Sequence, residues 1–279
     1  MMKYIMAAES RRLYDRMSGD KLSEKQKENM KSLMSDNMKD TELMTALWIL
    51  SSILKEYYGK KVIILIDEYD VPLDKAFENN YYNEMIILLR NMLEQSLKTN
   101  DNLYMAVLTG CLRIARESIF TGLNNFNIFS ITDQYFDEYF GFTDKEVKEI
   151  LQYYKVPEAF EQTKKWYDGY RFGNTDIYCP WEVNNHCRAL KVEPDATPQP
   201  YWINTSGNYI VKRFIEKANQ QTRREIEQLI EGKAIQKEIR LELTYNELDS
   251  TIENLWSVLF ATGYLTQQGK PLKRFLQSI

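Results

Sequence analysis

Two carboxylates at the end of an apolar run are the most informative chemistry in this chain. Val62-Ile63-Ile64-Leu65-Ile66 leads directly into Asp67-Glu68, then Tyr69-Asp70. A continuous, mostly β-branched run predicts a strand covered on both faces, as in a parallel α/β sheet. The carboxyl end of such a strand opens on the crevice where ligands sit. An Asp there can hold Mg²⁺ through water, and the Glu beside it can orient or deprotonate an attacking water. An apolar run closed by Asp-Glu is the Walker B pattern. The pattern alone also suits a plainer reading, a buried strand that ends in two solvated acids, and both readings stay open at this level.

Other residues offer less. Asp67, Glu68, Asp70 and Asp74 could gather as a hydrolytic metal cluster. Asp70 and Asp74 read more simply as a loop and a helix start, where negative charge is favoured. Ser118 has no histidine on its own element, and His186 is the only one in the chain, so a Ser/His triad has one conceivable base. Cys111, after Gly110 at a strand end, reads as a small apolar filler. Cys179, His186 and Cys187 lack the partners of a common zinc site and read as structural. Tyr139, Phe140, Phe142, Tyr153 and Tyr154 read as core rather than as a platform for bases. Arg11, Arg12 and Arg16 read as a solvated basic face.

The elements that must position Asp67 and Glu68 follow from periodicity. Residues 41–58 predict a helix with Leu43, Leu47, Leu50 and Leu54 on one side, capped by Asp40 and stopped by Gly59. Residues 81–98 predict a second helix and 103–109 a second strand, closed by Gly110. This helix–strand alternation is the rhythm of a parallel sheet, so the two strands should be adjacent, parallel and buried, joined through the helix. Residues 127–132 suggest a short third strand. From Gly141 onward the chain reads as mostly helical, with capping boxes at Thr143/Glu146 and Thr222/Glu225. Within it WYDGYRF (166–172) is turn-like, with Trp166, Tyr170 and Phe172 expected to be buried. The expected organisation is a solvated, loosely helical segment over 1–40, an α/β core over 41–140, a helical lid-like region over 141–200 and a helical region over 201–279. Pro194, Pro198 and Pro200 mark the best boundary.

Composition bounds the function. The chain has 279 residues, enough for one large domain or two modest ones. Its 36 Lys and Arg against 40 Asp and Glu give a net charge of −4, which argues against coating nucleic acid with the whole surface. Three cysteines make no disulfide framework, and no apolar stretch approaches the ~20 residues of a membrane span. The expectation is a cytoplasmic, reduced protein with no membrane partner.

Six ordered phrases carry a resemblance to a known family. KVIILIDEYDVPLDKA is followed by Leu108-Thr109-Gly110, then by Arg113 and SIFTGLNN, then by WYDGYRF, Tyr201-Trp202 and LWSVLFATGYL. These resemble, in order, the AAA-ATPase-like family of bacterial proteins over roughly residues 40–279. The resemblance implies a P-loop NTPase fold, ATP and Mg²⁺ as cofactors, and a signal-transducing type of ATPase. It implies Asp67 as the Mg²⁺ carboxylate and Glu68 as the residue that activates water. Thr109 would sense the γ-phosphate, and Arg113 and Arg116 would stabilise charge on the transferring phosphoryl group. It also implies, in many members, a downstream PD-(D/E)XK nuclease-like domain through which nucleic acid would enter, and this chain is expected to stop where that domain would start.

One departure from the family pattern bears on activity. No G-x-x-x-x-G-K-[ST] phrase occurs, because Gly59, Gly232 and Gly269, the glycines that precede a lysine, have neither the upstream glycine nor the hydroxyl residue. The first strand, phosphate loop and helix of the fold are therefore expected to be missing. Without them no backbone amides cradle the β-phosphate and no lysine reaches the γ-phosphate. Three functions follow: an ATP-binding and hydrolysing switch module, inactive alone, whose phosphate loop comes from a protein partner or a missing N-terminal segment; a non-catalytic interaction or scaffold module; and a metal-dependent nuclease fragment.

Overall fold

Two parallel strands lie at the centre of the first half of the chain. In this computed structural model, which describes residues 2–111, 119–120, 123, 126–202, 209–244, 247 and 250–268, the polypeptide forms two units. Met1–Phe126 with Glu242–Asn246 form one, and Asn127–Leu241 with Glu247–Ile279 the other. The described residues are α/β and predominantly helical.

The first unit runs α1 (Met2–Tyr14), α2 (Glu24–Leu33), α3 (Asp40–Tyr58), β1 (Val62–Ile66), α4 (Val71–Glu78), α5 (Tyr82–Leu97) and β2 (Leu103–Leu108). β1 and β2 pair in parallel, with Ile64 beside Ala106 and Ile66 beside Leu108. The expected adjacency, direction and helical connection all hold. α3 starts at Asp40, one residue earlier than expected, so Lys39 rather than Asp40 is the cap position, and its N–H donates to the Glu42 carboxylate at 2.6 Å. Gly59 ends α3 at φ 67°, a left-handed stop that glycine adopts without steric cost.

The expectation of burial on both sheet faces is corrected. Ile64 is buried, and α3 and α5 pack on its side of the sheet. Ile63, Leu65, Met105 and Val107 point to the opposite side and are exposed, Leu65 by 73%. The pleat sends alternate residues to opposite faces, and a two-stranded sheet covered by helices on one side leaves the other open. The reading of residues 1–40 as solvated is also corrected. Met17, Leu22, Met30 and Leu33 form one cluster with Ala46, Leu50 and Ile53 of α3, and Ala7, Met38 and Leu43 form a second.

The second unit runs α6 (Asp144–Tyr153), α7 (Phe160–Tyr167), β3 (Asp168–Phe172), β4 (Thr175–Tyr178), α8 (Pro180–Val192), α9 (Tyr209–Lys217), α10 (Gln220–Ile230) and α11 (Ile252–Ala261). Its mostly helical character is as expected. The capping box at Thr143 is present: the Thr143 N–H donates to Glu146 at 2.8 Å, and the Glu146 N–H to the Thr143 hydroxyl at 3.4 Å. The one at Thr222 is not, because Asn219 caps α10 and Thr222 donates its N–H to the Asn219 side chain at 2.9 Å.

WYDGYRF is the end of α7 and the antiparallel strand β3, not a turn between helices. The burial phase is shifted by one residue: Tyr167 is 3% exposed and Trp166 53%, while Tyr170 and Phe172 are half-buried. Residues 127–132 form no strand. The aromatic stripe is not core either, since Tyr139 (78%) and Tyr153 (82%) are exposed, as is Phe140. Only Phe142 and Tyr154 pack against the cluster of Val147, Leu151, Tyr167, Tyr178, Val183 and Leu190. The chain is threaded closely here. A Cβ on Gly141 would lie 1.9 Å from Ile177 Cγ2, beside the reciprocal Phe142–Tyr178 backbone bonds of 3.0 and 2.8 Å.

Candidate functional site

The carboxyl ends of β1 and β2 bring Asp67, Glu68 and Thr109 together. Because the strands are parallel and in register at Ile66 and Leu108, the residues that follow each strand emerge side by side. The Thr109 N–H donates to the Ile66 carbonyl at 2.9 Å, and the Tyr69 N–H returns to the Thr109 carbonyl at 3.0 Å. This ladder extension sets the Thr109 hydroxyl on the Asp67 carboxylate, to which it donates a hydrogen bond. A carboxylate accepts through two oxygens with about four lone-pair directions, so one hydroxyl leaves acceptor capacity for a metal-bound water.

Glu68 follows with φ 52°, a left-handed conformation that a non-glycine residue adopts at a cost. Two hydrogen bonds hold the backbone around it: the Tyr69 bond just described, and the Val71 N–H, which donates to the Glu68 carbonyl at 3.2 Å. The Asp67 and Glu68 side chains stay exposed. Strained, exposed and acidic residues at a strand end are a recurrent feature of functional sites.

The remaining acids belong to the start of α4. Asp70 is buried and occupies the cap position of α4, where its carbonyl accepts the N–H of Leu73 and Asp74. Asp74 sits in the first turn of α4, and burial, then the nearby Glu78, raises its carboxyl above the usual range. Among the described residues no group of three or more His, Cys, Asp or Glu could hold a metal ion, and Asp70 and Asp74 stand at the loop and helix start of their simpler reading rather than in a 67–74 hydrolytic cluster. Cys111 lies near all four acids. Desolvation, then the charges of Asp70, Glu68, Asp67 and Asp74, push its thiol upward and away from nucleophilic thiolate chemistry.

Gly110 is a participant the sequence reading passed over. A Cβ there would meet the Tyr69 ring at 2.7 Å and Asp70 Oδ1 at 2.8 Å, so the chain leaving β2 packs directly on the 67–70 turn. The strand-ending glycine was the available signal. Arg113, Arg116 and Ser118 lie outside the described residues.

His186 and Cys187 belong to the second unit's interior. His186 is fully buried with no hydrogen-bond partner on either ring nitrogen, its ring 5.3 Å from that of Tyr167. Burial lowers its pKa, and burial raises the Cys187 thiol to about 11. Both are packing residues.

The oxygen donors at 67 and 109 suit a hard divalent cation such as Mg²⁺. They fit the metal-and-water half of a Mg²⁺–nucleotide site. The phosphate half, a glycine loop with its lysine, has no counterpart in the 279 residues.

Residues 3–120 match the family model described as a predicted AAA-ATPase. This segment is similar to that family. The match takes in α1 and α2 as well as the β1–α4–α5–β2 core, in line with the shared packing of those helices. An uncharacterized protein from the vnfD 5′ region of Azotobacter chroococcum is 27% identical over 152 residues, 53% of this chain. The chain spans 27% of that relative's length. No solved structure matches. Among the described residues no helix is long and apolar enough to cross a membrane.

Proposed function

We propose that the AAA-ATPase-like segment is the metal-and-water half of an ATP-dependent switch. The observation that carries this is the Thr109–Asp67 hydrogen bond between the ends of adjacent parallel strands, with Glu68 held beside it in strained backbone. Bound with nucleotide, Mg²⁺ would supply charge that neutralises the phosphoryl oxygens. Asp67 would hold it through water, with its rotamer set by Thr109. Glu68 would orient the attacking water, and Thr109 would couple the state of the γ-phosphate to Asp67 and so to the end of β1. Arg113 and Arg116, assigned by family resemblance, would stabilise transferring charge. The phosphate cradle would come from a protein partner or an upstream segment.

Most affinity for a triphosphate comes from that cradle. The chain alone therefore binds Mg²⁺–ATP weakly and hydrolyses it at background rate. Supplying a strand–phosphate-loop–helix upstream of Met1 should confer saturable binding whose Mg²⁺ dependence Asp67→Ala removes. Wild-type Mg²⁺ dependence in Asp67→Ala of such a protein would sink the reading.

A second reading, an interaction module, draws on a different observation. Ile63, Leu65, Met105 and Val107 expose an apolar face on a parallel sheet, a type of sheet normally covered on both sides.

A further inference from the structure

The exposed rings of the second unit carry an inference independent of the nucleotide reading. Residues 127–142 hold six aromatics and three acids with no Lys, Arg or His, so the stretch is at once apolar and wholly negative. Four of the rings touch in a chain. Phe129 lies 5.4 Å from Tyr135 and 5.1 Å from Phe136, and Phe136 lies 6.1 Å from Tyr139. All four are exposed, as is Phe140 beside them. A patch of this kind on a soluble surface marks an interaction site.

The platform is anchored rather than loose. The Gly173 N–H donates to the Ile131 carbonyl at 2.8 Å, and the Asn174 N–H to the Asp137 carboxylate at 3.1 Å. Asp133 accepts the Ser130 N–H at 2.7 Å and its hydroxyl at 2.9 Å. A Cβ on Gly173 would sit 2.5 Å from the Asp133 carbonyl, so the β3–β4 hairpin presses directly on the loop. Phe136 is held at φ 66°. The cation nearest in sequence on that hairpin, Arg171, is engaged by Asp176 at 2.5 Å and by the Asn174 carbonyl at 3.0 Å. A preorganised ring cluster loses little freedom on binding.

Charge complementarity selects the occupant. Ring faces attract cations, and Glu138 and Asp137 add full negative charges along the same edge. The same charges repel phosphates, which argues against a single-stranded nucleic acid even though stacked rings are otherwise its platform. We propose that residues 129–140 form a docking surface for a basic segment of a partner protein, whose Lys or Arg side chains lie over Tyr135, Phe136 and Tyr139 and pair with Glu138.

The test uses the full chain and a fluorescein-labelled Arg-Ala repeat peptide, read by fluorescence anisotropy. The expected result is saturable binding that weakens with salt and is absent for the matching Glu-Ala peptide and for labelled oligo(dT). Tyr135→Ala and Tyr139→Ala should each weaken binding about two- to fivefold. Glu138→Lys should weaken it further, and thermal melts should be unchanged because all three side chains are exposed. Equal affinity for the two peptides, preference for oligo(dT), or wild-type affinity in all three variants would overturn the proposal. So would a chain dimer that dissociates in Tyr139→Ala with no effect on peptide binding.

Discussion

Replacing Glu68 by glycine should stabilise the fold while removing the proposed water-orienting carboxylate. At φ 52° a side chain with a Cβ pays the left-handed penalty, about 1–2 kcal/mol. Glycine escapes that penalty but carries about 0.4–1 kcal/mol of extra freedom in the unfolded chain. The Glu68 side chain is exposed, so little packing is lost. The informative comparison is Glu68→Gly against Glu68→Ala, because alanine keeps the Cβ and loses the carboxylate. Glycine should exceed alanine by about 1 kcal/mol, with Ala close to wild type. Urea denaturation would show this as a higher midpoint at unchanged slope. A thermal melt would show roughly 2–4 °C for a domain of this size. At an ordinary position the order is the reverse, with glycine less stable by about 0.5–1 kcal/mol. That reversed order would refute the argument that Glu68 stores backbone strain at the site.

Three further outcomes follow. Thr109→Val removes the hydroxyl that donates to Asp67 and should change stability by no more than about 1 kcal/mol, given solvent access, as measured by urea denaturation. In a protein with a restored phosphate loop the same change should cut hydrolysis more than binding. His186 has its folded pKa lowered below 6.5 by burial. Its contribution is therefore fully present above the unfolded pKa and is lost as pH falls through 6.5 toward the folded value. His186→Leu should flatten that acid limb by up to about 1.4 kcal/mol per pH unit, measured as the difference between the two proteins. Gly141→Ala should destabilise the second unit by about 1–3 kcal/mol or more, because its Cβ would overlap Ile177; a melt at the wild-type temperature would contradict the close crossing.

The parts of the fold that could be read in advance were those with strong periodicity. β1, β2, α3, α5 and α6 each carry an apolar pattern of one period, and the order helix–strand–helix–strand implied the parallel pair. Asp67 and Glu68 stood out as the acids that close an apolar run, and Thr109 came from the family resemblance; the parallel register is what sets the two strand ends side by side. What escaped was set by tertiary contacts. α1 and α2 look polar in sequence, yet Ala7, Met30 and Leu33 bury a narrow stripe against α3. The continuous run of β1 implied two covered faces, whereas the structure covers one. The burial of Tyr167 rather than Trp166 at the end of α7 was hidden because the two are chemically alike and only packing decides which is inside. Tyr139, Phe140 and Tyr153 read as core yet are exposed, for the same reason: hydrophobicity gives no direction. The left-handed Glu68 had no signal at all, since glutamate does not favour that conformation.

The most direct measurement is a calorimetric titration of Mg²⁺–ATP into the 279-residue chain, run beside the Asp67→Ala variant. No saturable heat below about millimolar nucleotide, in either protein, is the result expected of a half-site without a phosphate cradle. Saturable binding in the low-micromolar range that disappears in Asp67→Ala would contradict it, and would mean that another part of this chain holds the phosphates.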